Sequence, residues 1–297
     1  MTAGMLTISI DLELAWGVWD HLTPEDLRLA EGAERPICAA LIELFDRHQV
    51  PATWAVVAAL LDESSAAARP GARACWFAPD IIERLRRNTA GHEIASHSGR
   101  HIYFDTASAA DAREDLEFAR SVHRAQGLGF DSFVFPRGAA GHLDVVADVG
   151  LRVFNAADVG WVDGARRLGK RVGQVANLVD KLLPIPPAPA TAEQCGELVH
   201  IPKSMLLMGR NGLRGYVMPR VTRAKLCAGL RRAQASGGIF HLWFHPSNFY
   251  YRREEQLATL DRFLAQAANE AAQGRIEIRT MGSYARHAAG AVPERTV

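Results

Sequence analysis

His97 and His101 stand four residues apart in the run HSGRH. Two imidazoles at i and i+4 can share one side of a helical turn, which suits two nitrogen ligands on one ion. Alone, HxxxH is a common pattern. Its setting sharpens it, because the preceding residues Gly91 to Ser96 read as a β-strand that delivers the pair to the strand's end. Glu93 and Ser96 are expected to orient the two rings through hydrogen bonds.

Asp11 and Glu13 close the apolar run that begins at Met5. Two residues apart on an extended chain, they share one face. Unpaired buried carboxylates are costly, so two acids at the end of a hydrophobic strand, followed by Trp16 and Trp19, need a reason. A divalent cation and a proton-transfer role supply one. One acid with two histidines leaves coordination positions open for water and substrate, as a catalytic site requires. Zinc is the default ion, and the same donors accept cobalt, nickel or manganese.

Two further strand ends carry polar groups. In HLWFHPSN, His241, Trp243 and His245 share a face, and His245 is the last before a proline. An imidazole there suits a general acid, since its pKa lies near neutrality. In FVFPRG, Arg137 follows Pro136 and is expected to reach the same face and hold Asp11 ionised.

The elements that must position these groups alternate. Strands are predicted over Met5–Asp11, Ala52–Ala59, Gly91–Ser96, Ser132–Phe135, Arg152–Asn155, Val199–Ile201, Ile239–Phe244 and Ile276–Arg279. Helices are predicted over Ala33–His48, Pro79–Arg87, Ser108–Gln126, Leu143–Gly150, Thr222–Ala235 and Glu254–Gln273, with Ser64–Gly71 read as a loop. Alternation of this kind implies parallel βαβ units, and in a (β/α) barrel chemistry is built at the C-terminal ends of the strands.

Taken in order, IDLE, HSGRH, FPRG and WFHP resemble the motifs of the polysaccharide deacetylases with a NodB-type homology domain, carbohydrate esterase family four. The resemblance spans Leu6 to Ser283. It implies a single α/β domain, a distorted (β/α)7-type, TIM-like barrel over residues 5–285, with 286–297 as a tail. It implies Asp11 as general base and His245 as general acid in removing an acyl group from an N-acylated amino sugar or glycan intermediate. The metal ligands implied are Glu13, His97 and His101. The common pattern has adjacent aspartates; Leu12 occupies the second position here, so the metal acid moves to Glu13. Arg137 maps onto the family's arginine with the Arg and Pro order inverted. Asp158 and Trp161 stand where an acid precedes a tryptophan in the family, one residue off its spacing. Trp16, Pro136, Asp158, Trp161 and Trp243 are the expected substrate contacts. An allantoinase-like hydrolase of cyclic ureides on the same barrel, and a barrel that binds glycans without catalysis, are the competing readings.

Composition narrows the field. The 297 residues carry a formal charge of +1, which gives no bulk electrostatic basis for a nucleic-acid partner. The basic run Arg84 to Arg87 reads as a solvated helix face. Cys38, Cys75, Cys195 and Cys227 form no CxxC pair, so a zinc–thiolate site is not expected, and free thiols fit a reducing compartment. With no secretory pattern at the start and no apolar run of spanning length, a cytoplasmic protein is expected.

Overall fold

The structure, a computed structural model, describes residues 3–156, 169, 171, 180 and 183–290. Its centre is β1 (Gly4–Leu12), in which every residue is buried. The strand alternates with the period of two that an extended chain imposes. Leu6, Ile8, Ile10 and Leu12 face outward into the main hydrophobic core beneath the helices. Thr7, Ser9 and Asp11 take the opposite face and point inward.

β1 pairs in parallel with β2 (Thr53–Val56) and β9 (Ile239–Phe244), and its start also pairs with β10 (Ile276–Ile278). From β2 the sheet runs through β3 (Glu93–Ser96), β4 (Ser132–Val134) and β5 (Val153–Asn155) to β7 (Leu198–His200), all parallel. From β9 it runs to β8 (Met205–Leu206). An antiparallel edge strand, β6 (Glu193–Cys195), flanks β7. The sheet curls on itself: Asn155 Nδ2 on β5 reaches Ser9 Oγ on β1 at 3.5 Å, although three strands separate them along the sheet. The product is the expected α/β barrel, open between its edge strands β6 and β8.

Among the described residues the helices with defined bounds are, in chain order, α1 (Pro24–Gly32), α2 (Glu34–His48), α3 (Glu63–Ala67), α4 (Pro79–Arg86), α5 (Ala109–Ala125), α6 (Leu143–Asp148), α7 (Pro219–Ser236), α8 (Arg253–Ala272) and α9 (Met281–Gly290). Their ends follow local chemistry. Ser108 caps α5 through a reciprocal capping box with Asp111. The same device, Thr23 with Asp26 and Pro24 at the first position, starts α1, which the hydrophobic pattern alone did not suggest. Part of the expected Ser64–Gly71 loop is instead helical α3, because Asp62 accepts from the Ser65 N–H and fixes a first turn. α9 runs on to Gly290, across the expected 285/286 boundary. No helix among the described residues is long and apolar enough to cross a membrane.

α9 closes the barrel floor. Met281 is buried, and its N–H donates to Thr53 Oγ1 at 2.9 Å. Glu93, expected beside the histidines, lies at this floor, since it starts the strand whose far end carries them. Its carboxylate accepts from Thr53 Oγ1 at 2.8 Å, from the Gly282 N–H at 3.0 Å and from Ser132.

Glu34, buried at the start of α2, accepts from the Tyr250 hydroxyl. Burial dominates and raises its carboxyl from 4.5 to about 7. Between those values the folded chain holds a proton that the unfolded chain has lost, so stability falls as pH rises through the window and the loss is complete above it. The linkage is worth up to about 3 kcal/mol. Glu34→Gln keeps an acceptor for Tyr250 and removes this term. Urea unfolding is expected to show the variant stabilised by about 1–3 kcal/mol at pH 8, with the gap closing towards pH 5. A gap independent of pH would contradict the buried-acid account.

Candidate metal centre and active site

Glu13 leaves β1 at the open end of the barrel and caps a 3-10 turn, Leu14–Val18. Its side chain lies back over Gly17, where a Cβ would come within 2.2 Å of Glu13 Oε1. A side chain at position 17 therefore displaces the carboxylate.

His97 and His101 follow β3, but not on a helical turn. Ser98 and His101 both adopt left-handed backbone, with φ of 72° and 59°. Non-glycine residues rarely do so without outside support. The support comes from α5: Asp115 accepts from the Gly99 N–H at 2.6 Å and the Arg100 N–H at 2.8 Å, while Ser98 Oγ accepts from the His101 N–H at 2.7 Å. A Cβ at Gly99 would meet the Asp115 carbonyl at 2.5 Å, so this close approach requires glycine. The loop turns both imidazoles to one point, with ring centroids 5.1 Å apart.

His97 Nδ1 donates to the Val134 carbonyl at 2.8 Å, which fixes the tautomer and bares Nε2. That nitrogen lies 3.3 Å from Glu13 Oε2, and His101 Nε2 lies 2.9 Å from the same oxygen. The donor atoms of Glu13, His97 and His101 all fall within 4.8 Å of one another. Burial opposes ionisation of Glu13, but the neighbouring imidazoles of His245, His101 and His97 outweigh it and hold the carboxyl well below its ordinary value. Burial shifts His101 down towards the neutral form. For His97 burial works the same way, yet Glu13 and Asp11 together raise it. An anionic oxygen and two imidazole nitrogens converging on one point make a donor set that fits a divalent transition-metal ion.

Asp11 sits just inside this cluster, 2% exposed. Lys203 Nζ lies 3.7 Å from Asp11 Oδ2 and 3.9 Å from the Trp243 ring centroid, and is equally buried. Asp11 Oδ1 is buried without a hydrogen-bond partner. His245 Nε2 approaches Asp11 Oδ2 at 3.8 Å and Glu13 Oε1 at 3.4 Å. Because β9 is the immediate neighbour of β1, this imidazole stands beside the acids and not across the barrel mouth from them. It is 22% exposed, so one side of the ring faces outward.

Residues 23–154 match the sequence model of the polysaccharide deacetylase family. The matched stretch carries both histidines and the loop that holds them. Over that stretch, which is less than half of the chain, the sequence is similar to the polysaccharide deacetylases. The fold agrees. A crystal structure assigned as a polysaccharide deacetylase from Mycobacterium smegmatis superposes with a TM-score of 0.66 at 17% identity, covering 99% of this chain and 94% of that one. A second, assigned likewise from Pseudomonas aeruginosa, gives 0.64 at 17% identity over 98% and 93%. PuuE allantoinase also gives 0.64 at 17% identity, over 97% and 91%. At such identities the likeness speaks to fold alone. No curated protein matches the sequence.

Within this barrel several expected residues take other places. Arg137 does not reach Asp11. Its guanidinium donates to Asp20 Oδ1 at 2.8 Å and to the Gly17 carbonyl at 3.2 Å, and lies 4.8 Å from the Tyr103 ring centroid. The cation at Asp11 is Lys203, which sequence reasoning missed. Its signal was available: Ile201-Pro202-Lys203 places a lysine directly after a strand, as the other site residues are placed. Trp16 is fully buried, its indole donating to the Trp76 carbonyl at 3.1 Å, and Pro136 is buried too, so both back the wall and neither faces a ligand. Trp243 remains beside Lys203 and His245. Trp19 lies at the surface, 37% exposed, and its Nε1 donates to the His101 carbonyl at 3.2 Å. Asp158 and Trp161 lie outside the described residues.

Proposed function

We propose that this protein is a divalent-cation-dependent N-deacylase that removes acetyl, or another small acyl group, from an N-acylated amino sugar or glycan intermediate. The observation that carries the reading is the convergence of Glu13, His97 and His101 within 4.8 Å, with Asp11 and His245 beside them. A catalytically idle barrel has no need to keep three donors aimed at one point. Zinc is the expected ion, with cobalt, nickel or manganese as alternatives. When bound, such a cation supplies Lewis acidity to an amide carbonyl and eases ionisation of water.

The chain's own residues do the rest. Asp11 is buried and anchored on Oδ2 by Lys203, leaving Oδ1 to accept a proton from the attacking water. As the water oxygen bonds to the carbonyl carbon, the C–N bond weakens, and His245 delivers a proton to the departing nitrogen. Its partly exposed ring lies on the side from which substrate enters. Trp243, with its ring centroid 5.5 Å from that of His245, limits the tilt of the imidazole.

The reading is tested by acetate release from N-acetylated amino sugars, with a cyclic ureide as comparison. Acetate release is expected from the sugars, with no ring opening of the ureide; the reverse would move the protein to allantoinase-like chemistry. His245→Ala sharpens the mechanism. An amide nitrogen needs protonation to leave, whereas a nitrophenolate does not. The variant is expected to lose roughly 10²-fold or more on the amide, while largely keeping nitrophenyl ester hydrolysis. Equal losses on both substrates would assign His245 to positioning.

A further inference from the structure

Most cations at the rim of the barrel mouth are already paired. Arg137 is held by Asp20, and Arg210 by Glu255. Arg69 and Arg100 are different: among the described residues neither guanidinium has a carboxylate within ion-pair distance or a hydrogen-bond acceptor. Arg69 comes from the segment after β2 and lies 4.3 Å from the Trp16 ring centroid, 5.5 Å from that of Trp76 and 5.7 Å from that of Trp19. Arg100 immediately precedes the ligand-set residue His101, with its guanidinium 3.8 Å from the Phe118 ring centroid. Each is therefore held by packing of its planar face, leaving its N–H edge for a ligand.

The two charges also sense each other. Burial first, and then the Arg100 charge, push Arg69 below its ordinary value. The carboxylates that feel Arg100 are engaged elsewhere: Asp62 caps α3 through the Ser65 N–H and the Ser64 and Ser65 hydroxyls, and Asp115 clamps the Gly99 and Arg100 backbone. Two like charges held at one rim, partly desolvated and with no carboxylate at ion-pair distance among the described residues, favour an anion between them. Trp19 links this spot to the catalytic cluster, since it lies near Arg69 and donates to the His101 carbonyl.

We infer that Arg69 and Arg100 form an oxyanion-binding subsite beside the catalytic cluster, so that the substrate is an N-acyl sugar bearing a phosphate or a carboxylate group. The inference rests on the deacylase reading for the sugar and on the rim geometry for the anion.

Three substrates separate these elements: neutral N-acetylglucosamine, its 1-phosphate, and the corresponding N-acetylated uronic acid. At low salt, kcat/KM is expected to favour one charged sugar over the neutral one by at least about tenfold, the scale of added charge-assisted hydrogen bonds. Which charged sugar wins identifies the source of the anion. The double variant R69M/R100M keeps the apolar stems and is expected to erase that preference while leaving the neutral sugar within about twofold, since neither residue touches the acids or imidazoles. Calorimetry on the metal-stripped protein gives a readout independent of turnover: inorganic phosphate should bind, about tenfold or more weaker in the double variant. R100M alone should show part of both effects if the double variant folds poorly. Equal efficiency on charged and neutral sugars would overturn the subsite while leaving the deacylase reading intact. Phosphate binding through Arg69 and Arg100 without hydrolysis of any N-acyl sugar would keep the subsite and overturn that reading.

Discussion

Replacing His101 is expected to empty the metal centre and lower amide hydrolysis by roughly 10³ or more, the scale of several kcal/mol of lost electrophilic assistance. His101 is the cleaner of the two histidines to remove. Its Nε2 lies 2.9 Å from Glu13 Oε2, but Glu13 keeps His97 and His245 at 3.3 and 3.4 Å, so removing His101 leaves the carboxylate with neighbours. Removing His97 also strips the Val134 carbonyl of its donor deep in the barrel, which adds a stability cost of about 1–3 kcal/mol to any effect on the ion. The backbone at 101 is left-handed, a conformation that alanine tolerates less well than histidine. His101→Asn tolerates that conformation better and should report on the donor alone. Elemental analysis of the purified variants decides the matter: stoichiometric metal in either would refute the ligand assignment. The wild-type centre should also load with a proton sign. His97 is raised by Glu13 and Asp11, so part of the metal-free population carries a proton there that an incoming ion must displace. Affinity should therefore fall as pH drops through neutrality, with proton release seen in buffers of different ionisation enthalpy.

Asp11→Asn gives the second large effect, and Lys203 makes it informative. Turnover is expected to fall by roughly 10² or more with the metal retained, because Glu13 is untouched. Stability should fall as well. Lys203 is 2% exposed, and Asp11 is its ion-pair partner among the described residues. Neutralising the acid leaves a buried ammonium uncompensated, a loss of about 3–5 kcal/mol. The double variant Asp11→Asn/Lys203→Met removes that buried charge and should regain much of the stability, while activity stays low. This separation of melting temperature from turnover marks Asp11 as a proton acceptor and not merely half of a structural pair. If Asp11→Asn alone empties the centre of metal, the roles of Asp11 and Glu13 are exchanged.

The alternation along β1 could be read directly, because an extended chain sends every second residue the same way: Thr7, Ser9 and Asp11 inward, with Glu13 continuing the line. His245 could be read for the same reason on β9. Harder to see were features set by residues far along the chain. HSGRH has helical spacing, yet Asp115, on a helix that begins after it, claims the Gly99 and Arg100 N–H groups and forces a left-handed loop. Arg137 follows a strand as expected, but its own left-handed backbone turns the side chain towards Asp20, which sits in a different loop. Trp16 was expected to face the site because it follows the acids; the 3-10 turn after Glu13 rotates it into the core against Trp76. Glu93 lies on the right strand at the wrong end. In each case periodicity gave the element and its face, while the final side-chain partner came from another part of the fold.

The central position of β1 has a kinetic side. β1, which carries Asp11 and leads into Glu13, precedes the other strands of the sheet, yet it hydrogen-bonds to β9 and β10, which begin at Ile239 and Ile276. The floor beneath it waits longer still, for the Met281 and Gly282 N–H groups that Thr53 and Glu93 accept. Loop closure over such separations is slow compared with local helix formation. A ribosome-bound chain ending before residue 239 therefore holds its acids and histidines but lacks the strand that bears His245. During synthesis, one edge of β1 stays unpaired until β9 has emerged, which leaves it open to pairing with another chain for the whole of that interval.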